Sequence, residues 1–195
     1  LVLHGVCLFA LVDLIGWYLV SIVLVRCIYH DRVPQQNHFQ SRHVMAWFNA
    51  QKIRKVFLPP FGGVQGTLWH ASWLLMIGAK VGKRFFSATA NVMIDPIFGR
   101  FGDGITVNYD AQVQQNSFED HMLKWGPNWI HKGTTLMQAS LVAMSDTGEG
   151  VALMRGAVTW KGQLLEPGMA YDGTPAQPVM TTKDLLLQEL GDPKA

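Results

Sequence analysis

The sequence predicts a mainly β fold: a left-handed parallel β-helix of hexapeptide repeats, preceded by one transmembrane helix and an amphipathic helix. The main observation behind this prediction is a spacing of six between apolar or small residues in the second half of the chain. Such residues stand at Phe101, Val107, Val113, Ile130, Leu136, Val142, Thr147, Leu153, Thr159, Leu165 and Tyr171. A period of six fits neither an α-helix nor a simple strand, whereas it matches the stacked coils of a β-helix.

Glycines and interruptions define the repeat domain, which we place at residues 78–179. Glycine is frequent throughout this range, where the corners of the coils are expected and where positive φ is useful. The count of six is broken briefly around Asp95-Pro96 and for longer between Phe118 and Trp129. Insertions in a solenoid leave the stack as loops, often on the working face. Residues 180–195 are assigned to a C-terminal helix or tail.

The composition narrows the function classes. The 195 residues are 49% apolar and only 15% charged, against a usual charged share of about 25%. A formal net charge of +2 is too small to indicate a nucleic-acid partner.

Cys7 and Cys27 would lie roughly 30 Å apart on one helix, so the sequence predicts neither a disulfide nor a metal knuckle from them.

The first segment, residues 1–30, is predicted to be a transmembrane helix. Val6 to Val25 is a run of 20 residues interrupted by one charge, Asp13, and about 20 apolar residues cross a bilayer. The basic residues that follow predict an integral membrane protein with its β-helix domain on the cytoplasmic side; they are Arg26, Arg32, Arg42, Lys52, Arg54 and Lys55. A signal peptide and a helix buried in protein are the alternatives.

Residues 31–77 are predicted to hold linker helices. Residues 41–58 mix apolar and basic side chains, which suits either an interfacial helix on lipid or a helix docked on the repeat domain. Pro59-Pro60 should end it. Leu68–Ile77 is apolar but too short to span a membrane, and we expect it to pack under the first coil.

The longer interruption concentrates side chains capable of chemistry. It carries Glu119, Asp120, His121, Lys124 and Trp125 within seven positions. A histidine titrates near neutral pH and a carboxylate can orient its ring, so this loop suits general-base chemistry. A surface or packed histidine is the alternative interpretation.

Several segments of the chain resemble a known family. They are Gly102-Asp103-Gly104, VQQNSFEDHMLK from Val113 to Lys124, Trp160-Lys161-Gly162 and Asp172-Gly173-Thr174-Pro175-Ala176. With the upstream order of elements, they resemble the C-terminal domain of membrane-bound nonribosomal-peptide-synthetase-like proteins of the poly-ε-lysine-synthetase type, which are related to hexapeptide acyltransferases.

This resemblance implies an acyl- or aminoacyl-transfer unit, leaning towards an enzyme. It implies an upstream AMP-dependent adenylation domain and a carrier domain whose phosphopantetheine holds the donor, with no cofactor bound by this segment. The implied partners are the carrier domain, tandem copies or trimer mates, and the lipid membrane, without nucleic acid. The alternative is a non-catalytic β-helix unit that completes a pseudo-trimer beside active copies.

The resemblance also assigns residues, with one departure. The family has histidine as its general base where this chain has Asn116, and an amide cannot accept the proton of an amine or hydroxyl. We expect His121 to stand in as the base, oriented by Glu119 or Asp120. The expected substrate-binding residues are Lys124, Trp125 and Lys161. A zinc site built from His70, His121 and His131 is disfavoured by their spacing, so no metal is predicted.

Overall fold

The computed structural model describes residues 36–61, 65–89, 92–93 and 95–190, together with single positions between 12 and 27. Short parallel strands stack along three sides of a β-helix. The first side holds β2 (Lys80–Val81), β4 (Gly99–Phe101), β9 (Asn128–Ile130), β12 (Asp146–Thr147) and β14 (Leu164–Leu165). The second side holds β3 (Phe86–Ser87), β5 (Thr106–Val107), β10 (Thr135–Leu136), β13 (Ala152–Leu153) and β15 (Met169–Asp172).

The third side is formed by β6 (Gln112–Gln114) and β11 (Leu141–Ala143). Single parallel bridges extend it, from Met93 to Val113 and from Leu141 to Val158. The strands of one coil follow each other at the predicted interval of six along the sequence. The mainly β, hexapeptide-repeat fold is therefore confirmed.

The core of the β-helix consists of the side chains at the six-residue spacing. On the second side the parallel register joins Val107, Leu136 and Leu153, and all three are fully buried. Burial of one such side chain contributes about 1.5–3 kcal/mol of stability.

The corners of the coils need glycine at some positions. Gly133 and Gly150 stack on each other with φ of 71° and 65°, and residues with a side chain rarely adopt such φ values.

Both predicted interruptions leave the stack. The short one contains a 3₁₀ helix, Pro96–Phe98. The long one is a β-hairpin of β7 (Asn116–Glu119) and β8 (Met122–Trp125), which begins two residues earlier than predicted. Its central residues, Asp120 and His121, have φ of 52° and 59°, as in the type I′ turns that match strand twist.

An N-terminal arm covers this hairpin. Strand β1 (Gln36–His38) pairs antiparallel with β8, and α1 follows at Arg42–Phe61. Val44, Trp47 and Ala50 of α1 are buried, so this helix docks on the repeat domain. It ends at Phe61, beyond the proline pair that was predicted to stop it.

The ends of the β-helix are also closed. Helix α2 (Leu68–Met76) packs beside β2 and buries Trp73 and Leu74, as predicted for a helix under the first coil. At the other end, β16 (Gln177–Thr181) pairs antiparallel with β15, and α3 (Thr182–Leu190) follows. Leu185 of α3 packs on the last coils, which supplies the cap that repeat stacks require.

The predicted membrane location needs correction. Among the residues that the structure describes, no helix has both the length and the hydropathy to cross a bilayer. The predicted integral membrane location, with its β-helix on the cytoplasmic side, is therefore wrong. Much of the predicted transmembrane helix, with Asp13, lies outside the described residues. Within it, Ile22 and Leu24 pack against the core, whereas Val12, Leu19 and Val23 are exposed, and hydropathy alone does not distinguish these environments.

Candidate functional site

The hairpin carries six of the seven predicted site residues, with Asn116 and Trp125 paired at its base. Glu119 ends β7, Asp120 and His121 form the turn, and Lys124 lies on β8. The hairpin extends from one corner of the β-helix and reaches Lys161, which stands two coils further along. The insertion thus holds several charged groups close to one another, whereas their role in chemistry stays a prediction.

Glu119 is held between two lysines. Its Oε2 lies 2.9 Å from Lys124 Nζ, and its Oε1 lies 2.5 Å from Lys161 Nζ. Lys161 also donates to Ser117 Oγ at 3.1 Å, and Lys124 lies 3.4 Å from Asp120 Oδ2. Hydrogen bonds from Lys161, then Lys124, then Ser117 lower the pKa of Glu119 to about 2. The hairpin is thus fastened to a later coil by a carboxylate that stays ionised.

His121 lies apart from this charge cluster. Its ring is exposed and meets Phe39 edge-on, with centroids 6.4 Å apart, and its carbonyl accepts a hydrogen bond from Phe39 N at 3.2 Å. Within the described chain, no hydrogen bond joins its ring to Glu119 or Asp120, because the carboxylates face the lysines. Its ring instead lines a cleft of about 260 Å³ with His38, Phe39 and Gln40.

The three other cleft residues were missed by sequence reasoning. His38, Phe39 and Gln40 belong to the β1 segment, which is more than 80 residues away from His121 in the chain. Antiparallel pairing of β1 with β8 brings them there. No spacing in the sequence signals such a long-range pairing, and β1 has only three residues.

Asn116, at the family's histidine position, is part of a buried polar network. It is 2% exposed, and its side-chain amide donates to the fully buried carboxylate of Asp95. Asp95 also accepts hydrogen bonds from Trp47 Nε1 at 2.7 Å and Gln51 Nε2 at 3.3 Å. This network ties α1, the short insertion and the base of the hairpin together. Sequence reasoning noted Asp95 only as an interruption of the repeat.

The separation of Asn116 from His121 bears on the chemistry. Asn116 begins β7 and His121 lies two residues beyond its end, and the three steps from Asn116 to Glu119 alone span about 10 Å. A base at His121 therefore acts on a different point in space from a base at position 116. Any proton transfer by His121 takes place in the cleft beside β1.

The remaining predicted residues occupy varied environments. Trp125 is only 5% exposed, and its Nε1 has no hydrogen-bond partner in the described part of the chain. Lys161 keeps 40% of its side chain exposed. His70 is buried beside Trp73, and His131 stacks on Trp129 at a coil corner. Among described residues, no group of three or more His, Cys, Asp or Glu could hold a metal ion.

Comparisons with known proteins give a fold but no family. No protein-family model matches the chain, and no curated protein matches its sequence. A solved maltose O-acetyltransferase from Clostridium difficile 630 is similar in structure, with a TM-score of 0.56 and 12% identity over 76% of this chain and 92% of that one. A galactoside acetyltransferase in complex with coenzyme A gives a TM-score of 0.54 and 9% identity over 78% and 88%. At such identities the similarity establishes the fold, which is that of hexapeptide-repeat acetyltransferases.

Proposed function

We propose that this chain is an acyltransferase unit that moves an acyl group from a phosphopantetheine thioester to an amine or hydroxyl acceptor. The observation that carries the proposal is the position of His121. The hairpin inserted between two coils holds this imidazole at the wall of an open cleft of about 260 Å³. The acetyltransferase names of the similar structures support the same class of reaction.

The proposed reaction uses His121 as a general base. The imidazole takes the proton of the acceptor amine or hydroxyl while the acceptor attacks the thioester carbonyl carbon. The carbon–sulfur bond of the tetrahedral intermediate then breaks, and the imidazolium returns its proton to the leaving thiolate. The products are the acylated acceptor and a free pantetheine thiol.

Two forms of the donor satisfy this chemistry. The thioester is carried either by coenzyme A or by the carrier domain of a nonribosomal-peptide-synthetase-like enzyme. The sequence resemblance favours the carrier, whereas the complex of the similar galactoside acetyltransferase with coenzyme A favours the free cofactor. Trimer mates or tandem copies of the β-helix are the proposed neighbours of the cleft.

A non-catalytic scaffold is the second candidate function, and Asn116 favours it. Where the family has its base, this chain has an amide, which is 2% exposed and bonded to Asp95. Such an amide cannot act as a general base. In this role the chain completes an assembly whose active sites lie on other copies.

An assay of thiol release separates the two candidates. The whole chain is incubated with acetyl-CoA, or with an acyl carrier protein bearing the same thioester, and with a panel of small amines and alcohols. Acyl transfer predicts acceptor-dependent thiol release, and mass spectrometry then finds the acylated acceptor. A scaffold predicts release no faster than the uncatalysed background with either donor, which would overturn the transferase proposal.

A further inference from the structure

One face of the β-helix carries a column of exposed side chains that the proposed acyl transfer does not use. The parallel register places Lys80 beside Arg100, and Arg100 beside Trp129. All three side chains are exposed. Adjacent strands lie about 4.8 Å apart, so two cations and an indole ring stand on neighbouring rungs of one face.

The positive charges of Lys80 and Arg100 are not neutralised by acidic side chains among the described residues. Neither Lys80 nor Arg100 takes part in a salt bridge among the described residues. Two carboxylates lie nearby, but both accept hydrogen bonds from the backbone. Asp103, on the adjoining corner, accepts from Lys83 N at 2.7 Å. Asp146, on the next rung, accepts from Trp129 N at 2.6 Å. Like charges directly opposite each other destabilise a sheet. This pairing therefore favours an anion from outside the chain.

The indole beside these cations is held in place. Trp129 stacks on the ring of His131, with centroids 4.5 Å apart and planes 15° apart. His131 is itself fixed, because its Nδ1 contacts the carbonyl of Thr147 and its backbone N donates to Thr147 Oγ1 at 3.0 Å. A carbonyl can only accept, so Nδ1 carries the proton. Trp129 is still 46% exposed, and the Arg100 guanidinium lies over its ring, 5.9 Å from the centroid.

We propose that Lys80, Arg100 and Trp129 form a binding site for a phosphorylated ligand that carries a planar group. A phosphate monoester has close to two negative charges near neutral pH, which matches two adjacent cations. The guanidinium of Arg100 can donate two parallel hydrogen bonds to phosphate oxygens, and Lys80 supplies a point charge. The planar group attached to the phosphate lies against Trp129, since aromatic side chains stack on nucleobases with little sequence preference.

Isothermal titration calorimetry with AMP and with inorganic phosphate, at fixed ionic strength, tests this proposal. AMP is expected to bind more tightly than inorganic phosphate. Arg100→Gln or Lys80→Gln is expected to weaken AMP binding by about tenfold or more, because each loses a charged hydrogen bond. Trp129→Ala should weaken AMP binding and leave the affinity for inorganic phosphate unchanged.

The matched control is Arg155→Gln, which removes an exposed arginine from a different corner and should leave AMP binding unchanged. Circular dichroism confirms that each variant is folded, and Lys80→Gln tests the site if Arg100→Gln does not fold. Absence of AMP binding to the wild-type chain overturns the proposal. An equal loss in Arg155→Gln and Arg100→Gln also overturns it, since it would indicate attraction to net charge alone. These measurements use no thioester, so their outcome is independent of the proposed acyl transfer.

Discussion

The side-chain amide of Asn116 donates a hydrogen bond to the carboxylate of Asp95, and the two residues are 2% and 0% exposed. The chain therefore keeps a buried carboxylate in contact with the position where the resembling family has its base. A carboxylate in this place would orient an imidazole and stabilise its protonated form. What is missing at position 116 is the imidazole itself.

Replacing Asn116 by His is expected to create or increase acyl-transfer activity. The new imidazole would contact Asp95 and could accept a proton, which the amide cannot. The measurement is thiol release from acetyl-CoA in the presence of the best acceptor. Asn116→Ala is the control, because it removes the amide without adding a base. Equal rates for the His and Ala variants would show that an imidazole at position 116 does not contribute to acyl transfer.

Removing the indole donor of Trp47 should destabilise the fold. Its Nε1 lies 2.7 Å from Asp95 Oδ1 in the buried network, and Trp47→Phe leaves that carboxylate short of a hydrogen bond. Loss of a buried bond to a charged group costs about 1–3 kcal/mol. The free energy of unfolding in urea measures the effect. Trp160→Phe is the control, since Trp160 is 67% exposed and its replacement should change stability by less than about 0.5 kcal/mol. Equal losses of unfolding free energy in Trp47→Phe and Trp160→Phe would contradict a stabilising role for the buried network.

A side chain at position 99 should be poorly tolerated. A Cβ on Gly99 would clash with Met93 Sδ and would lie 3.4 Å from Gln115 Nε2. Overpacking of this kind costs about 1–3 kcal/mol, so Gly99→Ala should lower the free energy of unfolding by that amount. The double variant Gly99→Ala with Met93→Ala should lose less than the sum of the single variants, because the clash is gone. Strict additivity would show that Met93 is not the obstacle.

The lysine clamp on Glu119 gives a pH dependence with a defined sign. Lys161 and Lys124 lower the pKa of this carboxyl from 4.5 to about 2. Because the folded-state pKa is depressed, the stabilisation is fully present above the unfolded pKa and is lost as pH falls towards 2. Wild type should therefore exceed Glu119→Gln in unfolding free energy near neutral pH, and this difference should shrink between about pH 5 and pH 2.

Glu189→Gln is the comparison for the clamp, since it removes an exposed carboxylate from α3. Its stability difference from wild type should be small at neutral pH. The clamp interpretation fails if the Glu119→Gln difference is constant from neutral pH to pH 3, or if high salt leaves it unchanged, because exposed ion pairs are screened.

The fold was largely predictable because its signal is local and repeated. Residues such as Val107, Leu136 and Leu153 recur at the spacing that stacks them in one column, and each recurrence strengthens the same conclusion. The N-terminal apolar run was less informative, because hydropathy does not say what an apolar residue contacts. Ile22 and Leu24 pack against the protein core, whereas Val12, Leu19 and Val23 are exposed.

The candidate site was predictable only in part. The hairpin and its charges could be located, because an insertion breaks the repeat and Glu119, His121 and Lys124 are close in the sequence. The separate roles of these residues could not be predicted, because Glu119 forms an ion pair with Lys161 from a later coil. His38 and Phe39 reach the cleft through a three-residue strand paired over a long separation, and Asp95 gained its role from a helix that precedes the repeats.

The most direct measurement of the central claim is kcat/KM for the acyl donor in His121→Ala relative to wild type. If His121 is the general base, kcat should fall about 10²–10⁴-fold while the KM for the donor stays close to the wild-type value. His43→Ala, which changes an exposed histidine on α1, should leave both constants unchanged. A His121→Ala variant that turns over as fast as wild type would contradict the account and remove this imidazole from the chemistry.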